Sequence, residues 1–295
     1  MSVIKQNELL ANYCTYRIGG PARCVFFAAS EDEVVAGLET ARENNIPFFI
    51  LGGGSNVLFS DRGFPGLVLK MKNSFIEIQK KDFKENILAV GAGTSLAELV
   101  DFTRRHSFTR LEWAAGIPGT VGGAIRGNAG AFDEAIGDRI IEIKTLEVSG
   151  RGIAPKIFTK EECVFGYRDS IFKKNRNSVI ISALMRFPSG DGEEIAAAMR
   201  ECLAKKATRQ PLDFPSAGSV FTNPPGYFAA KLIEDCGFKG KIVGGAQVSE
   251  KHSNFIINRG NATASDVKNL IGQIKKAARE KFNVELKEEI EIVEA

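Results

Sequence analysis

Glycine is concentrated in one third of this chain, and no other feature of the sequence constrains the fold as much. Thirteen of the 30 glycines lie between residues 50 and 130. Eleven of them form three clusters, at Gly52–Gly54, Gly91–Gly93 and Gly116–Gly130. Glycine lets backbone N–H groups approach a phosphate closely because it has no Cβ. Three such loops close together in the sequence predict a large ligand that carries phosphate groups.

The two most familiar phosphate-binding motifs do not account for these loops. No stretch matches G-x-x-x-x-G-K-[ST], which argues against a Walker A ATPase. Gly91-Ala-Gly93 lies between a predicted strand and a predicted helix, but Leu96 stands where a Rossmann fingerprint needs its third glycine. A single loop of this kind is more typical of a tight turn. Three loops beside apolar, strand-like runs favour a dinucleotide held in a non-Rossmann way.

The periodicity of apolar residues predicts mixed helices and strands, typical of an α+β fold. Capping-box spacings predict helix starts at Ser30, Ser95 and Thr263. Further helices are predicted at 193–207 and 227–236, and strands at 46–51, 87–90, 140–148, 179–187, 242–248, 254–258 and 284–293. The turn-rich segment Pro188–Gly192 predicts a linker.

Composition excludes several classes of protein. Apolar residues make up 44% and charged residues 25% of 295 residues, as in a soluble globular protein of about two domains. A net charge of +3 gives no field that would indicate nucleic acid as a partner. Five separated cysteines and two histidines predict no metal site. No signal-like segment or membrane-length apolar run is evident, so we expect a cytoplasmic protein with no membrane and no obligate protein partner.

Six motifs occur in one order along the chain, and together they resemble the UDP-N-acetylenolpyruvoylglucosamine reductase family from about residue 10 to the C-terminus. The motifs are Asn12–Ala22, Leu51–Leu58, Ala115–Gly130, Tyr167–Ser170, Ser216–Pro224 and Gly244–Val248. The resemblance implies an FAD-binding domain of the vanillyl-alcohol-oxidase (PCMH) type at 1–188. That domain would have two α+β subdomains split near 70–75, and an α+β substrate-binding domain would follow at 189–295.

The resemblance also implies a reaction. NADPH would reduce FAD, and FAD would reduce the enolpyruvyl ether of UDP-N-acetylglucosamine to UDP-N-acetylmuramate, in peptidoglycan synthesis and hence in cell-wall growth and division. Implied FAD-binding residues are Gly52, Gly53, Gly54, Ser55, Asn56, Gly116, Ile117, Pro118, Gly119, Val121, Gly122 and Gly123. The Gly91 loop is expected to belong to the same FAD-binding site. Both histidines, His106 and His252, lie outside these loops, so we expect the FAD to be non-covalent.

Three catalytic residues follow from the resemblance. Arg168 would grip the substrate carboxylate through its planar, charged fork. Ser219 would give a proton to C2, and Glu289 would be a second catalytic acid. Each has an ordinary alternative. Arg168 could pair with Asp169 or with a backbone group, and Ser219 could be a turn serine. Glu289 could belong to a solvated strand face.

The assignment of Glu289 depends on the alignment. The family's closing motif is close to L-E-P-E-V, whereas Lys287 and Glu288 stand here in place of the expected Glu-Pro. Aligned on Leu286, the catalytic glutamate is Glu289. A one-residue slip would select Glu288, which lies on the other strand face.

Substrate contacts are implied at Tyr167 and Asn223. Weaker candidates for the diphosphate are Arg209, Lys231 and Lys241, and Tyr227 is a candidate for closing the pocket. Longer family members carry an extra loop with a tyrosine, for which the short connection after Phe187 leaves no room. The chain therefore resembles the short type.

Two other functions remain open from the sequence. A flavin oxidase of the same superfamily would act on a small alcohol with O₂, often with covalent flavin. A non-catalytic nucleotide-binding protein would keep the glycine loops but would not need Arg168, Ser219 and Glu289 together. The lack of a histidine in the loops and the segment from Ser219 to Asn223 argue against the oxidase.

Overall fold

The computed structural model describes residues 4–82 and 85–294. Over these ranges the chain forms seven α-helices and sixteen strands, which confirms the α+β class. The helices are α1 (Glu31–Glu43), α2 (Leu96–Arg105), α3 (Val121–Arg126), α4 (Ile171–Lys174), α5 (Gly192–Arg209), α6 (Ala229–Asp235) and α7 (Ala264–Phe282). The strands are β1 (Ile4–Leu9), β2 (Pro21–Ala28), β3 (Phe48–Leu51), β4 (Val57–Phe59), β5 (Phe64–Met71), β6 (Ile76–Lys81), β7 (Asn86–Gly91), β8 (Gly130–Ala131), β9 (Glu134–Ala135), β10 (Ile140–Ser149), β11 (Gly152–Thr159), β12 (Ser178–Phe187), β13 (Ile242–Val243), β14 (Ala246–Val248), β15 (Ile256–Asn258) and β16 (Glu291–Val293).

Two sheets dominate the first two thirds of the chain. The first has the order β1-β2-β5-β3, and the second has the order β11-β10-β12-β7-β6. β3 runs parallel to β5, while β10 is antiparallel to both of its neighbours. The segment 72–75 joins the first sheet to the second. The subdomain split near 70–75 stays a proposal.

The chain divides into two compact units, and each unit is built from segments that are separate in the sequence. The first unit contains Val25–Gly53 and Gly66–Lys205. The second contains Gln6–Cys24, Gly54–Pro65 and the described chain from Lys206 onward. Within the second unit lie the sheet β13-β14-β15 and the parallel pair of β4 with β16. The predicted domain boundary between 188 and 189 stays a proposal.

The predicted helix starts are confirmed, with the expected physical cause. The hydroxyls of Ser30 and Ser95 each accept a hydrogen bond from the backbone N–H three residues on, at 3.2 and 3.0 Å. Thr263 and Asp266 form a reciprocal capping box at the start of α7. These bonds satisfy N–H groups that the first turn of a helix leaves without partners.

Three predicted elements differ from the structure. The strand predicted at 242–248 is a hairpin of β13 and β14, because Gly244 has φ +54° and turns the chain. Within the segment 284–293, only the last part, β16, is a strand. The helix predicted from 227 begins at Ala229, and Phe228 before it is extended.

The connection from β12 to α5 consists of residues 188–191. Gly190 donates its N–H to the carbonyl of Ser107 at 2.8 Å, and Thr109 donates to the carbonyl of Pro188 at 3.0 Å. This short, bonded link contains no additional loop, which agrees with the short type. Among the described residues, no helix is both long enough and apolar enough to span a membrane.

Candidate active site

The first and third glycine loops lie against each other in the first unit. A Cβ built on Gly53 would stand 2.6 Å from Cα of Gly119. A Cβ on Gly52 would collide with the side-chain oxygen of Thr120. Real Cβ atoms do not approach a backbone carbon this closely, so glycine at position 53 is required for the two loops to meet.

The Gly91 loop joins the same group. Gly122 donates its N–H to the carbonyl of Ala92, and Val121 donates to the carbonyl of Thr94, both at 2.9 Å. A Cβ on Gly122 would lie 2.9 Å from Cβ of Ala92. The structure therefore brings the three predicted loops together. We call residues 52–53, 91–94 and 116–123 the glycine-loop cluster.

Gly123 differs from Gly52, Gly53, Gly91, Gly93 and Gly122, where a Cβ would clash. A Cβ built there would meet only the side-chain oxygen of Thr120, at an ordinary 3.6 Å. A Cβ at Gly123 would therefore fit without a clash, which leaves room for a ligand beside the first turn of α3. Nearby, Gly116 and Gly119 have φ of +76° and +125°, which side-chain-bearing residues rarely adopt. The residues present thus fit a cofactor with phosphate groups.

The rest of the first predicted loop belongs to the second unit. Gly54 has φ +70°, and a Cβ there would collide with the carbonyl of Tyr13. Thr15 donates its N–H to the carbonyl of Gly54 at 3.0 Å. Asn56 is exposed, and its side-chain amide donates to the carbonyl of Glu289 at 3.1 Å. This loop therefore reaches a second predicted site residue.

Arg168 lies in a tight turn with a strained backbone. Gly166 and Asp169 exchange two backbone hydrogen bonds, of 2.9 and 3.2 Å. Arg168 takes φ +55° within this turn. A side-chain-bearing residue in this conformation costs on the order of 1 kcal/mol, and such residues cluster at functional sites.

Side-chain hydrogen bonds fix the Arg168 turn on the chain that follows α3. Arg168 donates through Nη2 to the carbonyl of Gly130 at 2.8 Å. Asn128, which is buried, donates to the carbonyl of Gly166 at 2.8 Å. The hydroxyl of Ser170 donates to the carbonyl at the end of α3 at 2.7 Å. The turn is thereby tied to the segment that leaves the glycine-loop cluster.

The two residues that flank Arg168 in the sequence make different contacts. The carboxylate of Asp169 pairs with Lys174 at 2.8 Å. The guanidinium carbon of Arg168 lies 5.2 Å from the ring centre of Tyr167, whose side chain is exposed. The predicted catalytic arginine and the predicted substrate contact therefore lie side by side.

Ser219 and Glu289 lie on adjacent backbone segments of the second unit. Residues 219–222 form bridges to Phe255 on one side and to Glu288 on the other. Glu289 donates its N–H to the carbonyl of Val220 at 2.7 Å. We call residues 219–222, 254–255 and 287–289 the Ser219–Glu289 ladder. Residues far apart in the sequence are brought together there.

Two polar residues fix the Ser219 segment, and sequence reasoning missed both. Asn254 is 4% exposed and bonds both backbone groups of Phe221, accepting at 3.0 Å and donating at 2.8 Å. Thr15 donates its hydroxyl to the carbonyl of Ser216 at 2.7 Å. For Asn254, the sequence did carry one signal: the asparagine stands beside an apolar run. A side-chain amide buried with such a run needs hydrogen-bond partners. Beside Ser219, a Cβ on Gly218 would meet nothing within 4 Å.

The structure separates the two candidate glutamates. Glu288 places its two carboxylate oxygens 2.7 and 2.9 Å from the ammonium nitrogen of Lys275 on α7. Its carboxylate is therefore engaged in a structural ion pair. This arrangement supports Glu289 as the catalytic glutamate, which stays a proposal.

The remaining candidates have structural contacts of their own. Asn223 is exposed, and its side-chain oxygen accepts from the N–H of Ala229 at 2.9 Å, so it caps the start of α6. Arg209 and Tyr227 are exposed. Lys231 pairs with Asp235 at 2.7 Å, and Lys241 lies 4.3 Å from the ring centre of Phe238.

Both histidines pack against aromatic rings. His106 ends α2, where its ring stacks on Phe102 at 4.1 Å. His252 lies 4.9 Å from the ring of Phe255. Burial lowers the pKa of His252, although a backbone hydrogen bond opposes the effect. Both rings are therefore packed against aromatic side chains.

The fold and the glycine-loop cluster define the class of protein as an FAD-dependent oxidoreductase, and comparison with known families agrees. Residues 22–152 match the family described as FAD binding domain. Residues 210–293 match UDP-N-acetylenolpyruvoylglucosamine reductase, C-terminal domain.

Full-length relatives make the assignment specific. The UDP-N-acetylenolpyruvoylglucosamine reductase of Clostridium novyi is 43% identical over 98% of this chain and 92% of that protein. The one from Caldanaerobacter subterraneus is 42% identical over 97% and 92%. The crystal structure of the Thermus caldophilus reductase matches with a TM-score of 0.81 at 32% identity, over 99% of this chain and all of that one. The chain belongs to the UDP-N-acetylenolpyruvoylglucosamine reductase family.

A more distant likeness concerns the fold alone. Cholesterol oxidase from Brevibacterium sterolicum matches 64% of this chain and 38% of its own, with a TM-score of 0.50 and 12% identity. The likeness shows that the two proteins share a fold over that share of the chain.

Proposed function

We propose that this chain reduces the enolpyruvyl ether of UDP-N-acetylglucosamine to UDP-N-acetylmuramate with NADPH, a step of peptidoglycan synthesis. The observation that carries the proposal is the 43% identity to a named reductase over nearly the whole of both chains. FAD, when bound, supplies the hydride carrier between NADPH and C3 of the substrate.

We propose that the glycine loops hold the FAD without a covalent bond. The room for a Cβ at Gly123 and the contacts of both histidines with aromatic rings support this proposal. The residues assigned to FAD are Gly52, Gly53, Gly54, Ser55, Gly116, Ile117, Pro118, Gly119, Val121, Gly122 and Gly123. The resemblance implies Asn56 as well, but its side-chain amide is bonded to the carbonyl of Glu289. Denaturation should release all of the flavin colour into the supernatant. Colour that stays on the precipitated protein would reject non-covalent binding.

Arg168 is assigned to the substrate carboxylate. Hydride addition at C3 moves negative charge onto C2 and the neighbouring carboxylate, so the transition state needs a cation that is already in place. The guanidinium is permanently charged, and its fork matches a carboxylate. The bond to Gly130 and the tight turn support the assignment, because they fix the arginine before substrate binds.

Ser219 is assigned as the proton donor to C2, with Glu289 as the second acid. A serine hydroxyl is a weak acid and needs neighbours that return its proton. Glu289 lies on the adjacent segment of the Ser219–Glu289 ladder, bonded through its backbone to Val220. The open space beside Gly218 supports close approach of a substrate to this segment.

Tyr167 and Asn223 are assigned to substrate binding. For Asn223, the side-chain oxygen accepts a hydrogen bond from the first residue of α6, so its amide NH₂ is the group proposed to contact the substrate.

We expect the purified chain with FAD to be sufficient for turnover, without a protein partner, nucleic acid or membrane surface. We further place its activity in the cytoplasm.

The test is NADPH oxidation by the purified, flavin-loaded protein. Oxidation should be fast only when the enolpyruvyl sugar nucleotide is added, and one lactyl ether should form per NADPH consumed. Rapid NADPH oxidation with O₂ alone, and none that depends on the sugar nucleotide, would indicate an oxidase. A protein with no flavin spectrum after incubation with FAD would refute the proposal altogether.

A further inference from the structure

Asn56 joins the end of the first glycine loop to the backbone of Glu289. Its side-chain amide donates to the carbonyl of Glu289 at 3.1 Å, and its own carbonyl accepts from the N–H of Glu291 at 2.9 Å. Immediately after Asn56, β4 pairs in parallel with β16, beginning with Val57 opposite Glu291. The side chain of Asn56 therefore extends this pairing by two residues, as far as Glu289.

Glu289 is held by its backbone from two directions. Its N–H donates to the carbonyl of Val220 at 2.7 Å, and its carbonyl accepts from Asn56. Because the Cα–Cβ direction follows from the backbone, these bonds set the position from which the Glu289 carboxyl group extends.

We propose that Asn56 is a positioning residue that fixes Glu289 relative to the Ser219 segment. The inference rests on the proposed catalytic role of Glu289. It differs from the FAD contact that the resemblance implies for Asn56, since a cofactor ligand would affect flavin retention. A positioning residue affects only the step that uses Glu289, and displacement of a catalytic group by about 1 Å can slow a reaction by about 10²-fold.

The first test removes the amide donor. Asn56→Ala should keep its flavin content and its rate of flavin reduction by NADPH. Re-oxidation of the reduced protein by the enolpyruvyl sugar nucleotide should slow about 10- to 10²-fold. Asn44→Ala is the matched control, because Asn44 is also exposed and donates to a backbone carbonyl, at 2.8 Å, at the end of α1. It should leave both half-reactions unchanged.

An isosteric change adds a pH readout. Asn56→Asp keeps the shape, but an ionised carboxylate cannot donate to the carbonyl of Glu289. Re-oxidation by the substrate should therefore be at least as slow as in Asn56→Ala at pH 7. As the pH falls toward the ordinary aspartate pKa of about 4, the protonated acid regains a donor. The rate relative to Asn56→Ala should then rise, and a ratio that does not change with pH contradicts the proposal.

A double-mutant cycle separates this inference from the proposed function. If Asn56 acts through Glu289, Asn56→Ala should have almost no further effect in a Glu289→Gln background. An equal slowing in both backgrounds, a loss of flavin in Asn56→Ala, or slowing of both half-reactions would each overturn the inference. If Glu289→Gln alone leaves re-oxidation unchanged, the proposed role of Glu289 fails first, and the role of Asn56 fails with it.

Discussion

The glycine-loop cluster and the Ser219–Glu289 ladder are proposed to serve one reaction, yet they are built in opposite ways. In the cluster, backbones touch directly, as Gly53 does at Gly119, and side chains are excluded. In the ladder, ordinary residues are positioned by hydrogen bonds between segments that lie far apart in the sequence. Added side-chain atoms should therefore disrupt the cluster, whereas loss of a hydrogen-bonding partner should disrupt the ladder.

Gly53→Val should produce the largest effect on the cluster. The new side chain would meet the backbone of Gly119, which cannot move aside cheaply, so we expect a loss of about 3 kcal/mol in the free energy of unfolding. Denaturant unfolding of the protein without FAD measures this loss. A variant that unfolds like the wild type but no longer binds FAD would show that glycine at position 53 is required by the cofactor and not by the contact with Gly119.

Arg168→Lys tests the turn that follows the cluster. A lysine keeps the charge but cannot form a two-pronged contact with a carboxylate. Re-oxidation of the flavin by the substrate should slow about 10²-fold, the scale of losing one preorganised donor. Flavin content and reduction by NADPH should not change. If reduction by NADPH slows to the same extent, Arg168 has a structural role only.

Gly123→Ala tests a second kind of glycine within the cluster, because a methyl group there makes only an ordinary contact with Thr120, at 3.6 Å. In a helix, alanine is more favourable than glycine by about 0.5–1 kcal/mol, so the protein without FAD should become more stable. FAD affinity should fall about tenfold, equivalent to 1.4 kcal/mol, if the cofactor approaches this backbone. Denaturant unfolding measures the expected gain in stability, and FAD titration measures the expected loss of affinity. Unchanged FAD affinity would mean that the cofactor does not approach the backbone of residue 123.

Glu288→Gln should have the smallest effect, and it serves as the matched partner of Glu289→Gln. The ion pair with Lys275 is partly exposed, so its loss should cost less than about 1 kcal/mol. The turnover rate should stay within about twofold, whereas Glu289→Gln should slow the reaction of the substrate strongly. The reverse ranking would mean that the one-residue slip in the alignment is correct.

The sequence predicted what depends on nearby residues. The helix caps at Ser30, Ser95 and Thr263 were predictable because a cap is local. The glycine loops were predictable because their spacing is a local pattern. The turn at Gly244 was missed, although two adjacent glycines favour a turn, because the apolar residues on either side suggested one continuous strand.

The ladder was less predictable because its bonds connect distant parts of the chain. Nothing near Asn56 indicates that its amide meets Glu289, and nothing near Asn254 indicates that it holds Phe221. Glu289 itself was identified through resemblance and not through its surroundings, which look like an ordinary charged strand face. Such roles become visible only once the pairing of the strands is known.

Stopped-flow measurement of the two half-reactions in Ser219→Ala tests the central claim most directly. If Ser219 delivers the proton to C2, NADPH should reduce the flavin of this variant at close to the normal rate. Re-oxidation by the enolpyruvyl sugar nucleotide should then be slower by about 10²–10⁴-fold, the usual effect of losing a positioned acid. Ser219→Cys, which keeps a transferable proton, should recover part of that rate. Equal slowing of both half-reactions in Ser219→Ala would contradict the account, because it would mark Ser219 as a structural residue.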